Sequence, residues 1–454
     1  MTQRRFARRK FLGLAAAGPL LAQAPGERPR RTGSVQVLNP RARPPISFII
    51  DDSTCLVNLN HFAIPQFRAA WADSTYAQDW RKMPAEIPDD FVRKFGEWCG
   101  ERGVKGKYSV VPYPACVGRL DRELPGWTPE EVQASIRLVR TLMTPNWDIH
   151  PEMVTHTRVI DLRTGHPHPV RSLEYMENWH WARGKSVDEI AAYIAYALGI
   201  LRNVELPCEG ITTPGGFGGD ARPELAQAVF QACREVFHAE IPHYFLDAVG
   251  EGRESVAPRI QYASGLRSGD PRCVVSIVAC TGDWTGNWDA AERPQPDRFI
   301  APDLSSGRLV DVIERGEPAC FLAHWTGLHH NGSEQGFRAF QEVFRRITAR
   351  YDNLEWMKLS EIARYWAAKE LTGVEARSSG VAFDAPFACP KFTVRLSATG
   401  KPPLAVEHAG KRVPLRETGS LRTLDSGTWT REGEALVACF DLPKGEAVLS
   451  LSSG

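Results

Sequence analysis

Asp51 and Asp52 stand side by side at the end of the run Ile46-Ser47-Phe48-Ile49-Ile50. The run is short, apolar and β-branched, the pattern of a strand buried on both faces. Adjacent carboxylates at such a strand end are costly to bury. Folds accept that cost mainly where the charges bind a metal or move protons. The plainer use of Asp-Asp is a solvated turn or a helix cap. Later apolar runs end in the same polar way. The run 147–154 carries Asp148 and His150 and continues into Thr155-His156-Thr157-Arg158-Val159-Ile160-Asp161. The run 208–212 leads to Thr213-Pro214 and the glycine-rich 215–219. The run 273–280 leads to Thr281-Gly282-Asp283-Trp284, and 318–323 leads to His324-Trp325 and His329-His330. Carboxylates and imidazoles gathered this way suit metal-assisted hydrolysis or general acid–base chemistry.

A shared scaffold must bring these ends together. Strand-like runs at 46–50, 105–111, 147–154, 208–212, 242–246, 273–280 and 318–323 alternate with helical periods at 88–102, 128–143, 186–203, 222–236 and 333–350. This alternation predicts an α/β chain: a distorted (β/α) barrel of about seven strands over 44–371, with its chemistry at the carboxyl ends of the strands. Helical period ends near residue 372. Short alternating runs such as Phe392-Thr-Val-Arg-Leu and Ala447-Val-Leu-Ser-Leu then predict a small all-β sandwich over 372–454.

The N-terminus reads as an export signal over 1–24. Arg8-Arg9-Lys10-Phe11-Leu12 precedes an apolar stretch from Leu14 to Leu21 and then Ala22-Gln23-Ala24, a twin-arginine pattern that points to a periplasmic or secreted protein. The stretch is too short to span a bilayer comfortably, so no lasting membrane insertion is expected. Residues 25–43 read as a linker rich in Pro, Arg and Gly. A net charge of +1 over 454 residues gives no reason to expect a nucleic-acid partner. None of the ten cysteines forms a C-x-x-C pair, and those in apolar runs read as small core residues.

The ordered strand ends resemble those of the polysaccharide deacetylase family, whose members use a distorted (β/α) barrel. The resemblance covers roughly residues 44–370. It implies that Asp51 is a general base, Asp52 a metal ligand and His324 a general acid, with Asp283-Trp284 a further family position. His156-Thr157 matches the start of a His-Ser/Thr-x-x-His motif, whose second histidine falls on Ile160. Asp161 or His150 could stand in as third ligand. Thr212 occupies the place of an expected arginine before Pro214. The resemblance further implies a divalent cofactor, Zn or a harder ion such as Mn, Ni or Co, and a saccharide or glycoconjugate substrate. Trp356 to Ile362 resembles the helix opening that closes such barrels.

Rings and hydroxyls at the strand ends would meet that substrate: Tyr113, Thr213, Phe217, Trp284, Trp325, His329, and Trp179 and Trp181 in the long loop 162–185. His166-Pro167-His168-Pro169 reads as a solvated loop. Two other readings stay open. Asp51, Asp52, Glu152 and Asp283 are carboxylates suited to a glycoside hydrolase or lyase that needs no metal. A non-catalytic sugar-binding protein is the third, although buried unpaired charges would then destabilise the fold.

Overall fold

The computed structural model describes residues 26–71, 76, 78–378, 380–397 and 401–452. The export signal expected over 1–24 lies outside the described residues. Among the described residues, no helix is long and apolar enough to cross a membrane.

Strand β1 (Pro45–Asp51) is buried along its whole length because it has a neighbour on each side. It runs parallel to β2 (Gly106–Ser109), which pairs with β3 (Trp147–His150). A second sheet contains β4 (Gly210–Thr212), β5 (His243–Ala248), β6 (Arg259–Ser264) and β7 (Arg272–Ala279) in the order β4-β5-β7-β6, with β6 antiparallel to β7. Strand β8 (Ala319–His324) returns to the other side of β1, in a register that sets His324 opposite Asp51.

The parallel strands therefore form two sheets, which meet at two seams. At one, Thr212 N–H donates to Pro151 O at 3.0 Å. At the other, Cys280 N–H donates to Cys320 O at 2.6 Å. The barrel predicted from the sequence is thus seen as two arcs, with ladder pairing within each and isolated bonds between them.

The helices follow from their sequences. Leu59, Ala63 and Phe67 recur every four residues and give α1 (Leu59–Ala70) one buried face. Helix α2 spans Asp89–Glu101. Helices α3 (Pro129–Leu138) and α4 (Val187–Asn203) begin at the capping boxes Thr128/Glu131 and Ser186/Glu189. Helix α5 (Arg222–Phe237) packs on α4. Alternate β1 residues face opposite ways. Ile46, Phe48 and Ile50 join the core under the helices. Ile49 joins Phe245, Ile277 and Leu322 in a core that runs through the helix Leu359–Leu371 into the C-terminal sheets.

Those C-terminal sheets have five strands each and are antiparallel except where Arg416–Glu417 pairs in parallel with Thr428–Glu432. One contains Cys389–Ser397 and Ala435–Leu442; the other contains Gly380–Ala385 and Gly445–Ser452. Val35–Val37, in the segment read as a linker, adds an edge strand beside Cys389–Ser397.

Candidate active site

Asp51 closes β1 and meets a buried cation. Lys107, fully buried in β2, donates from Nζ to the Asp51 carboxylate, to Ile50 O at 2.9 Å and to Ser109 Oγ at 2.8 Å. Burial lifts Asp51 to about 6, even though Lys107 pulls it down. The cation beside Asp51 comes from β2.

Asp52 leaves the strand in the left-handed region, with φ +61°. Its N–H donates to Glu152 Oε2 at 2.8 Å. Its Oδ1 lies 2.8 Å from His156 Nε2 but makes no hydrogen bond. Glu152 Oε1 lies 3.4 Å from the same nitrogen. Three buried donors therefore gather around one point. Besides Asp52, the residue that meets His156 is Glu152, four residues earlier, and neither residue 160 nor Asp161. Glu152-x-x-x-His156 was legible as a spacing.

The loop that carries His156 is held by a further buried acid. Glu177 accepts from Thr155 N at 3.0 Å, His156 N at 2.6 Å and Tyr193 Oη at 2.5 Å. These bonds fix the left-handed φ of +62° at His156. Burial pushes Glu177 up to about 7.

Burial opposes charge on the His156 ring, but Asp52 and Glu152 overcome it and hold the ring well above its ordinary value. Burial also opposes charge on Glu152, and His156 pulls it down to about 2. Two buried carboxylates call for compensating positive charge, which a protonated ring or a divalent cation supplies. Asp52 Oδ1, which lacks a hydrogen bond although it lies 2.8 Å from His156 Nε2, and the mixed O/O/N donor set fit a divalent ion.

His324 is the acid candidate on the other side. Its Nδ1 lies 2.9 Å from Asp283 Oδ2, which also accepts the His324 N–H at 3.1 Å. Thr285 donates both N–H and Oγ1 to Asp283 Oδ1 at 2.7 Å, so the carboxylate cannot turn away. Burial lowers His324, but Asp52, Asp283 and Asp51 outweigh it and raise the ring to about 9. At 19 % exposure, its side chain is more open than those of Asp52 and His156.

Other residues singled out from the sequence lie elsewhere. His150 points into the sheet interior, where its Nε2 is 2.9 Å from His243 Nε2 and its Nδ1 is 3.3 Å from Thr212 Oγ1. Asp148 lies 4.0 Å from His243 and is held by Ser360, whose N–H and Oγ donate at 2.6 and 2.9 Å. Asp161 pairs with Arg163 in a two-stranded turn. Thr213 is tied to Phe245 O. Phe217 is fully buried and stacks on half-buried Trp181. Trp325 packs edge-on against Phe95 and Tyr108, and His329 packs on Phe91. Trp284 is buried under Arg298. Tyr113 packs half-buried on the core, its N–H on Val154 O. Trp179 stays near the site: it stands edge-on to Phe67, which also contacts His156 and Trp288. The sequence reading missed Trp288, which lies in a loop without period.

No protein-family model matches the chain, and no curated protein matches it. Among solved structures, it is similar to a probable polysaccharide deacetylase from Pseudomonas aeruginosa PAO1, at 11% identity and a TM-score of 0.35 over 63% of this chain and 80% of that one. It is similar to Puue allantoinase at 11% identity and a TM-score of 0.35, over 80% of this chain and 98% of that one. A putative glycoside hydrolase/deacetylase from Parabacteroides distasonis matches at 10% identity and a TM-score of 0.37, over 78% and 82%. The likeness is one of distant architecture.

Proposed function

We propose that this protein is an exported hydrolase that removes an acyl group from a saccharide or glycoconjugate with the help of a divalent ion. The observation that carries this reading is the gathering of Asp52, Glu152 and His156 next to a lysine-paired Asp51 and an aspartate-paired His324. Asp52, Glu152 and His156 would hold the ion, which when bound polarises an acyl carbonyl and acidifies water.

The chain's own groups handle the protons. Asp51, lifted by burial but kept ionised beside Lys107, accepts the proton of the attacking water. The water oxygen bonds to the acyl carbon, and the bond from that carbon to the leaving nitrogen or oxygen breaks. His324 gives the leaving group its proton from Nε2, while Asp283 occupies Nδ1. Trp179 and Trp288 offer partly open ring faces of the kind on which sugars stack. The twin-arginine pattern at 8–24 supports export.

Metal analysis of the purified protein with an acetate-release assay on acetylated saccharides tests the reading. About one equivalent of a divalent ion is expected, with chelator-sensitive acetate release. Glu152→Ala should lose both, and Asp161→Ala neither. Release of reducing sugar without acetate, or full activity in the metal-free protein, would overturn it.

A further inference from the structure

We infer that Glu152 makes this an oxygen-preferring cation site, at which manganese(II) competes with zinc(II), and that Glu152 sets this preference. The inference rests on the metal reading above.

The donors are two carboxylates and one imidazole. Imidazole and thiolate favour zinc, copper and nickel, whereas carboxylate and water favour magnesium, calcium and manganese. Position 152 is where the balance is set. It lies four residues before His156, and its Oε1 reaches to 3.4 Å from the His156 Nε2. An imidazole there would make a two-histidine, one-carboxylate set, which zinc holds well.

Glu152 is also fixed in place. The Asp52 N–H holds its Oε2 at 2.8 Å, so one ligand's backbone orients the other ligand's side chain and leaves Oε1 for the ion. Glu177, through the His156 N–H at 2.6 Å, fixes the third donor's backbone. Asp51 is withdrawn from the set by Lys107. Two full negative charges therefore face the ion, enough to neutralise a dication. Zinc outbinds manganese at most nitrogen and oxygen sites, so the preference is read as a ratio of affinities.

The test measures manganese and zinc dissociation constants for the metal-stripped full protein by competition with a chromogenic chelator. Asp52→Ala gives the background, including any binding at the buried His150–His243 pair. In Glu152→His, the manganese-to-zinc ratio of dissociation constants is expected to rise at least about tenfold. Glu152→Asp keeps an oxygen donor on a shorter arm. It should weaken both ions while holding the ratio within about threefold, and so covers the case in which Glu152→His does not fold. A ratio unchanged in folded Glu152→His, or shifted as far toward zinc in Glu152→Asp as in Glu152→His, would overturn the inference alone. Failure of the wild-type protein to bind either ion above the Asp52→Ala background would overturn the inference and the metal reading together.

Discussion

Lys107→Met tests how the site keeps a base ionised under burial. The lysine is fully buried, and its ammonium donates to one carboxylate and two neutral oxygens. Removing one partner of a buried ion pair costs roughly 3–5 kcal/mol, because the other charge is left uncompensated. Methionine refills most of the side-chain volume, so the loss is electrostatic and not a cavity effect.

The sign with pH follows from Asp51. Its folded value is already raised to about 6 with Lys107 present, and without the lysine it rises further. A carboxyl raised in the fold contributes stability that is fully present below its unfolded value of about 3.9 and is lost as pH rises through the folded one. The deficit of the variant should therefore be small at pH 5 and reach about 3–5 kcal/mol at pH 8, measured by urea unfolding with tryptophan fluorescence. The acidic limb of kcat/KM should move to higher pH in the same variant. A deficit below about 1 kcal/mol at pH 8, or equal deficits at pH 5 and pH 8, would refute the pairing argument.

Three further outcomes are expected. Glu177→Gln, which weakens the acceptor holding the His156 loop, should lower metal affinity about 10–100-fold in a chelator competition. Burial keeps the His150 and His243 imidazoles below their ordinary value, His243 at about 4, so they are neutral in the fold. The unfolded chain protonates from about pH 6.5 downward, so stability present above that pH is lost toward pH 4, at about 1.4 kcal/mol per pH unit for each ring. Urea unfolding across this range should show a shallower slope in His243→Gln. All ten cysteines are free thiols, nine of them buried, so reducing agent should leave the melting temperature unchanged.

The parts of the fold written in local pattern were legible. The strand periodicity and the order of polar strand ends reappear in the structure. Helix α1 escaped notice because Pro65 lies inside it, although its Leu59-Ala63-Phe67 spacing was visible. The site was legible in its residue types and less so in its pairings. Asp51, Asp52, His156, Asp283 and His324 come together. Which acid meets His156 depends on a loop with left-handed turns at Met153 and His156, and no propensity announces these. A lysine in a strand usually points to water, so the type of Lys107 does not announce its pairing with Asp51. His150 was a plausible ligand by type, but strand alternation turns it inward, away from the mouth. Most of the aromatic residues proposed for substrate serve packing, the commoner role of large rings.

The edge strand at Val35–Val37 bears on the order in which the molecule is made. It is made long before Leu396, Arg395 and Val394, the residues with which it pairs. Thr32 N–H donates to Val374 O and Val374 N–H to Arg30 O, fastening the same strap to the second C-terminal sheet. Glu27 N–H reaches Ala263 O on the edge of the other body of the fold. The strap must wait unpaired until those partners have been made, and its docking is a long-range closure. Loss of the sheets that follow the helix Leu359–Leu371 would therefore also strip Val35–Val37 and Thr32 of their partners.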